Sequence, residues 1–485
     1  MEQATKPLDR VEIPRGHFID GEWRLTGGAM FPVFDPSTGE VVVEMAAADA
    51  STVDSAVASA QRAFRVWSKV SSDERETLLR TVADLLEQDA DNLSMLETLN
   101  CGKPLQAARE GDIQGAIDVF RFYAGYPTKN FGQFIPGDSE TVIFTIPEPV
   151  GVVAAITPWN YPLMIAAGKI AAALAAGCSV VVKPAPETPL STLALAKIID
   201  RAGAPKGLLN VVVGGPETGT FLSAHPGISK LSFTGSTRTA SSVLAELAKI
   251  RRPAAMELGG KSPNVVYDDI DVGRSVDAVL MAALYNAGQE CCAGARILVH
   301  ESIKADFLSA VEARVPAFRV GPGSSPDVEI GPMISERHRE RVAGFVDRAK
   351  KEGASVLATA PVPDRGFFYQ PTVLVDVDPS MEVCREEVFG PVVVVDTFAS
   401  DDEAIEKANA TRYGLAAGAW TASISRAIRF AREIEAGQVW INSYLAGSWS
   451  APFGGLKDSG WGRELGAAGL LEFCELKTVY MRGCP

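Results

Sequence analysis

Histidine and cysteine are both scarce. The four histidines (His17, His225, His300, His338) form no HExxH pair, and the seven cysteines, at positions 101, 178, 291, 292, 384, 474 and 484, include no CxxC pair. A metal centre is therefore not expected. Neither is a disulfide framework, and the cysteine usage fits a reducing compartment. An excess of basic charge is also missing. The net charge of −14 is spread along the chain and argues against nucleic acid or an anionic membrane as a partner. No signal-peptide apolar region opens the chain. The one long apolar run, Leu163 to Val182, is interrupted by Gly168, Lys169 and Gly177; a buried helix followed by a buried strand explains it better than a membrane span. GxGxxG and Walker A motifs are absent too, so a nucleotide would not sit in the usual fingerprint loop. The expectation from these absences is a cytoplasmic, soluble enzyme.

What is present is an α/β pattern. At 485 residues, with 47% apolar and 22% charged side chains, the chain holds two or three substructures. Residues 18–46 alternate between turn signals, as in an antiparallel opening. A capping-box-like Ser51-Thr-Val-Asp54 starts a helical region, and the apolar period predicts helices over 51–66, 72–98 and 104–125. Residues 133–150 read as a hairpin suited to an assembly arm. From Gly151, strands at 151–157, 179–183, 209–213, 230–234 and 254–258 alternate with helices at 163–176, 188–202, 217–224 and 238–249. This predicts a parallel, doubly wound sheet, whose ligands bind beyond the carboxyl ends of the strands. The alternation restarts after Gly260 (strand 263–267, helix 273–287, strand 296–300, helix 302–316), a second α/β unit. Residues 475–481 form a last strand.

Chemistry-bearing residues fall where that sheet would present them. Cys291 and Cys292 lie in Asn286-Ala-Gly-Gln-Glu-Cys-Cys-Ala-Gly-Ala-Arg296, among small residues that leave room for approach; a reactive thiolate and a buried pair of thiols both fit. Asn160 follows a strand in Thr157-Pro-Trp-Asn-Tyr-Pro, where its amide can donate to an oxyanion or stabilise its own turn. Lys183 ends a strand before Pro184, poised for a ribose or phosphate, or simply snorkelling. Phe233-Thr-Gly-Ser-Thr237 opens a helix, as a pyrophosphate site or an ordinary cap. Glu257 ends a strand before Gly259 and Gly260, as a general base or a solvated carboxylate.

Together and in this order, these segments resemble the aldehyde dehydrogenase superfamily over nearly the whole chain. The carrying motifs are Pro158-Trp-Asn-Tyr-Pro162, Lys183-Pro-Ala, Phe233-Thr-Gly-Ser, Met256-Glu-Leu-Gly-Gly-Lys-Ser-Pro263, Gly288-Gln-Glu-Cys291, Glu387-Val-Phe-Gly-Pro391 and Pro452-Phe-Gly-Gly. The resemblance implies two Rossmann-like units, with 1–129 and 150–258 binding the cofactor and 259–447 carrying catalysis, and with 130–149 and 470–485 as oligomerisation segments. It implies oxidation of an aldehyde to the acid with NAD or NADP. Cys291 would be the nucleophile, Asn160 and the Cys291 N–H the oxyanion donors and Glu257 the base that activates water, with Lys169 also in the catalytic set. Lys183 and Glu387 would hold the riboses, Phe389 would face the nicotinamide, and Ser236 would touch the pyrophosphate. Thr157, Pro158, Trp159, Pro186 and Glu187 belong to the same cofactor path, as do Gly215, Gly219, Phe233, Thr234 and Gly235, then Leu258 and Gly259. The aldehyde would meet Tyr161, Met164, Gly168, Glu290, Cys292, Trp449 and Phe453, with Tyr444 nearby.

Three departures from the family pattern bear on specificity. Pro186 stands where many members carry a ribose-binding Glu, with Glu187 one step on, which loosens the preference for NAD over NADP. Ala240 replaces a glycine after Gly-Ser-Thr. Gly168 stands where a bulky Trp is common and should widen the aldehyde channel. Aromatic lining favours an aromatic or medium aliphatic aldehyde, or a cationic, betaine-type one. Glu257 argues against a CoA-acylating variant, the lack of a motif-like His against a cysteine hydrolase, and the retained Cys291, Glu257 and Asn160 against a silent homologue. A homodimer or homotetramer is expected.

Overall fold

A computed structural model describes residues 11–482; Cys484 and the outermost parts of the expected terminal segments, 1–10 and 483–485, lie outside the described residues. Two open sheets organise the chain. The first has eight strands in the order Glu22–Arg24, His17–Ile19, Leu209–Val211, Ser179–Lys183, Val152–Ile156, Lys230–Thr234, Ala254–Glu257 and Gly460–Trp461. Its five central strands are parallel, while His17–Ile19 and Gly460–Trp461 pair antiparallel at the flanks. All five strands were legible as apolar runs, because a parallel strand covered by helices on both faces has no polar side.

The second sheet has seven strands, in the order Ser355–Thr359, Thr372–Val375, Val392–Phe398, Arg296–His300, Pro263–Val266, Ala416–Trp420 and Gln438–Ile441. All its pairings are parallel except that of the edge strand Ser355–Thr359. A third, three-stranded sheet joins Cys474–Arg482 to the hairpin of Phe134–Ile135 and Thr141–Pro149. The expected hairpin and final strand therefore pair with each other.

The helix Pro162–Ala176 shows how the core is built. Proline at its first turn presets the backbone, and Gly177, at φ 101°, ends it in the left-handed region. Between these ends it is alanine-rich and buried on most sides, so it can lie tightly between the first sheet and the helices Ser72–Gln88 and Gln114–Ala124. Lys169 is the one charge on it, and it is buried.

The structure corrects several local expectations. Asp49, rather than Ser51, caps the first long helix, accepting from the Thr52 N–H at 2.8 Å. The full capping box lies instead at Ser71 and Glu74. The 72–98 helix is two helices, Ser72–Gln88 and Ala90–Cys101, separated at Asp89. The 104–125 helix contains a π-helical turn, Ala108–Ile113. The helix before the cysteine pair stops at Leu284, and Asn286 (φ 51°), Ala287 (φ 55°) and Gly288 (φ 65°) form a left-handed turn. Two non-glycine residues held there store strain of about 1 kcal/mol or more each, a cost that concentrates at functional sites.

Candidate active site

That left-handed turn presents the cysteine pair. Gly288 is required twice over, by its φ and because a Cβ there would lie 2.2 Å from the Gly390 carbonyl oxygen. Gln289 fixes the loop: its amide donates to the Asn286 and Pro332 carbonyls at 3.2 Å and accepts from the Ile334 N–H at 2.8 Å. Cys291 is half-buried and Cys292 buried, with their sulfurs 4.0 Å apart. The neighbouring Cys292 thiol, then burial and the surrounding carboxylates, hold the Cys291 thiol well above its usual range. Cys291 is therefore a thiol at rest and needs a proton acceptor to act.

Asn160 arrives from the end of the strand Val152–Ile156 and meets the same turn. It donates to the Gln289 carbonyl at 3.0 Å, and Asn286 donates to the Asn160 carbonyl at 3.2 Å. One amide hydrogen of Asn160 is left for another acceptor, and its Oδ1 is buried without a partner. Among the described residues the Cys291 N–H has no backbone partner either. These two donors can receive an oxyanion formed at Cys291.

Glu257 is 2% exposed, and neither carboxylate oxygen has a hydrogen-bond partner. Burial first, then the Glu464 carboxylate, raise it well above the carboxylate range, while Lys169 and Arg463 pull it back. Lys169 is ion-paired with Glu464 and donates to Ser232 at 2.8 Å. Phe453-Gly454 links the two chemistries. Phe453 packs in the small cluster with Cys291 and Cys292, and a Cβ on Gly454 would lie 2.8 Å from Glu257.

Glu387 and Cys291 converge on the glycine pair after Glu257. The Gly260 N–H donates to Glu387 at 3.2 Å, and a Cβ on Gly260 would lie 2.6 Å from the Cys291 carbonyl oxygen. A Cβ on Gly259 would fall 2.2 Å from the Glu387 carboxylate. Burial lifts Glu387 to about 7. Phe389 has φ 58° and packs edge-on against Trp159 with centroids 5.1 Å apart. His338, which no motif pointed to, meets the Phe389 carbonyl at 2.7 Å and packs on Trp159 too. Burial lowers its pKa to about 4, so it holds this corner as a neutral ring.

The other cofactor candidates line the carboxyl ends of the first sheet. Thr157 and Thr234 keep buried hydroxyls without partners, and Gly215 opens a helix with nothing within 4 Å of a would-be Cβ. Lys183 is buried, donates to the Pro184 carbonyl at 3.1 Å and lies against Gly219. Burial lowers it to about 8, while Glu187 acts the other way. Gly235 approaches the Phe233 ring, and Leu258 is buried immediately after the strand that ends at Glu257. Ser236 caps Thr237–Ile250 with its hydroxyl on the Thr239 N–H. Pro186 and Glu187 are half-buried beside this row.

On the opposite side, Met164 and Trp449 meet across Gly115, where a Cβ would lie 3.0–3.1 Å from both. Gly168 faces only Leu465, at 3.8 Å from a would-be Cβ, and borders the small cavity around Lys169 and Glu464. Tyr161 is buried under the Lys103 ammonium, 3.6 Å from its ring centroid, and burial, then the Glu290 charge, raise its hydroxyl well above the usual range. Tyr444 donates to the Cys292 carbonyl at 2.8 Å.

A half-buried thiol, two free donors beside it and an unpartnered buried carboxyl all lie where two parallel sheets meet. The aldehyde dehydrogenase family model matches residues 23–479. The chain belongs to the aldehyde dehydrogenase family. It is an NAD(P)-dependent enzyme of that family. It is 39% identical to the putative aldehyde dehydrogenase DhaS of Bacillus subtilis, over 99% of this chain and 98% of that protein. The NAD+ complex of an aldehyde dehydrogenase from Bacillus cereus superposes with a TM-score of 0.94 at 40% identity, covering 98% of this chain and 97% of that one. A betaine aldehyde dehydrogenase of Staphylococcus aureus in complex with NAD+ gives 0.95 at 38%, covering 99% and 96%. No helix of the described residues is long and apolar enough to cross a membrane.

One prediction tests the glycine pair. Gly259→Ala should push the Glu387 carboxylate off the Gly260 N–H while leaving folding nearly intact, since a side-chain tip yields more easily than backbone. Cofactor dissociation constants measured by fluorescence titration should rise about tenfold or more; unchanged binding would remove Glu387 from the cofactor site.

Proposed function

We propose that the chain oxidises an aromatic or medium-chain aliphatic aldehyde to the carboxylic acid, with NAD preferred over NADP. The observation that carries the reading is the Cys291 thiol with the unspent Asn160 amide hydrogen on the same turn and the unpartnered Glu257 reached through Phe453-Gly454. Cys291 Sγ attacks the aldehyde carbon, and the oxygen is received by Asn160 and the Cys291 N–H. The bound nicotinamide supplies the hydride acceptor. The thioester left on Cys291 is then hydrolysed by water that Glu257, having released its own proton to solvent, deprotonates. Lys169, paired with Glu464, keeps a cation behind Glu257 and limits how far its pKa rises.

The residues present fit a nicotinamide dinucleotide. Gly259 keeps clear the space beside Glu387, Gly215 leaves a helix start open, and the Thr157 and Thr234 hydroxyls are unpartnered. Lys183 and Glu387 would hold the riboses, and Phe389 would face the nicotinamide ring. The preference for NAD rests on Glu187: although Pro186 takes the more common acidic position, the Glu187 charge still acts on Lys183. A carboxylate there disfavours a 2′-phosphate.

The substrate class rests on the lining. Tyr161, Met164, Trp449 and Phe453 offer aromatic and polarizable surface, and Gly168 leaves its position open. A cationic aldehyde is the second reading, favoured by the match to betaine aldehyde dehydrogenases of Rhizobium leguminosarum bv. trifolii and Staphylococcus aureus and by the attraction of aromatic faces for quaternary ammonium. The test is nicotinamide reduction across benzaldehyde, phenylacetaldehyde, hexanal, betaine aldehyde and succinic semialdehyde, with each cofactor. The highest kcat/KM is expected for the first three with NAD. A clear lead for betaine aldehyde would move the assignment to the second reading, and a lead for NADP would refute the role given to Glu187.

Segments 11–129 and 150–258 would then serve the cofactor and 259–447 the catalysis. The three-stranded sheet is the proposed assembly arm, since Phe134 (72%), Leu476 (65%) and Tyr480 (70%) are exposed on it. Apolar surface of this kind is characteristic of an interface, and a homodimer or homotetramer is expected.

A further inference from the structure

Glu290 is a buried carboxyl immediately before the nucleophile, and the reaction as described above gives it no task. Its Oε1 lies 3.5 Å from Cys291 Sγ, and one ligand-type atom from each of Glu290, Cys291 and Cys292 falls within 4.8 Å of the others. Burial raises the Glu290 carboxyl above its ordinary range, while the Tyr161 hydroxyl and the Cys292 N–H face it and act the other way. The Lys103 ammonium over the Tyr161 ring brings positive charge to the same spot. Lys103 is in turn fixed by Asp112 at 2.6 and 2.7 Å, both side chains being fully buried. Asp112 comes from the π-helical turn Ala108–Ile113, a rare geometry that recurs at functional sites. A buried charge pair is expensive to bury, and this one backs the carboxyl that touches the nucleophile. Glu257, by contrast, has both oxygens unpartnered and makes no hydrogen bond to Cys291.

We propose that Glu290 accepts the proton of the Cys291 thiol during attack on the aldehyde, leaving Glu257 to activate water in the second half-reaction. The proposal rests on Cys291 being the nucleophile. As the S–C bond forms, the S–H proton passes to Glu290 Oε1, and the carbonyl π pair moves onto the aldehyde oxygen, between Asn160 and the Cys291 N–H. Glu290 is neutral at that point and releases the proton to solvent before the next turnover. Tyr161 and Lys103 are positioning residues for this step.

The experiment reads the thiol alone, without aldehyde or hydride transfer. Alkylation of Cys291 in the full-length protein by iodoacetamide is timed by peptide mass spectrometry from acid to alkaline pH, in the wild type, Glu290→Gln and Glu290→Asp. With Glu290 as acceptor, the Gln variant loses about 100-fold in rate at neutral pH and recovers only at alkaline pH. The Asp variant regains part of the neutral rate. A carboxylate that acted only through its charge would hold the thiol protonated, so its removal would speed alkylation; a Gln variant as fast as the wild type or faster overturns the proposal. If the Gln variant does not fold, Tyr161→Phe decides, since it removes the hydroxyl facing Glu290 but keeps the ring. A several-fold slower neutral rate is expected, and an unchanged rate overturns the proposal. Cys291→Ala is run alongside for turnover: oxidation surviving in that variant would sink the nucleophile assignment itself, whereas the alkylation series bears on Glu290.

Discussion

Cys291→Ala is expected to lower aldehyde oxidation by at least about 10,000-fold, because the covalent route disappears and no neighbouring group can restore it. Among the described residues Cys292 is the one other thiol beside Cys291, but it is 2% exposed. Its carbonyl is tied to Tyr444, and its side chain packs against Leu415 and Ala416. Turning it toward the aldehyde would break that packing. The cofactor side should be untouched, since the substitution only removes a sulfur and leaves the Gly260 contact with the Cys291 carbonyl in place. Initial rates and a cofactor titration on one preparation check both halves. Loss of activity with intact binding is the expected pair, and a turnover within tenfold of the wild type would refute the covalent mechanism.

Much of this site was legible in the sequence because its parts sit at strand ends. Asn160, Lys183, Thr234 and Glu257 each follow a short run of buried β-formers, and a parallel sheet delivers all such ends to one rim. The groups that tune those residues were not legible. Glu464 meets Lys169 across 295 positions, and no local pattern distinguishes Gly-Arg-Glu there from a surface turn. His338 acts through a backbone carbonyl, and any polar residue at the right spot can make such a contact. The left-handed turn at Asn286 and Ala287 breaks a helical period that continues through Tyr285, so periodicity extends the helix too far. Capping was misplaced for a similar reason. Asp49 and Ser51 are both competent caps two residues apart, and the choice depends on how the chain enters from the strand Glu40–Ala46. Local pattern located the chemistry; the long-range contacts decide how each group titrates.

Glu257→Gln should lower steady-state turnover by about 1,000-fold and make the protein more stable at neutral pH. The kinetic part follows from its place after hydride transfer. Acyl-enzyme still forms, so a rapid burst of reduced cofactor, one per active site, should survive while the following steady rate collapses. A lost burst would place Glu257 in the first half-reaction and contradict the division of labour with Glu290. The stability part follows from burial without partners. Burial and the Glu464 charge raise the folded-state pKa of Glu257 well above its ordinary 4.5. Above that ordinary value the unfolded chain releases the proton while the folded chain keeps it, so folding must take up a proton. Wild-type stability then falls by about 1.4 kcal/mol per pH unit from this one group, until pH reaches the folded-state pKa. Glutamine has a similar shape and no proton to take up. Its advantage should be near zero below the ordinary value and grow as pH rises, visible as a widening gap in Tm between the two proteins. A gap that narrows with pH would mean that the Glu257 carboxylate is charged and paired in the folded enzyme. It would then be ionised before the thioester forms.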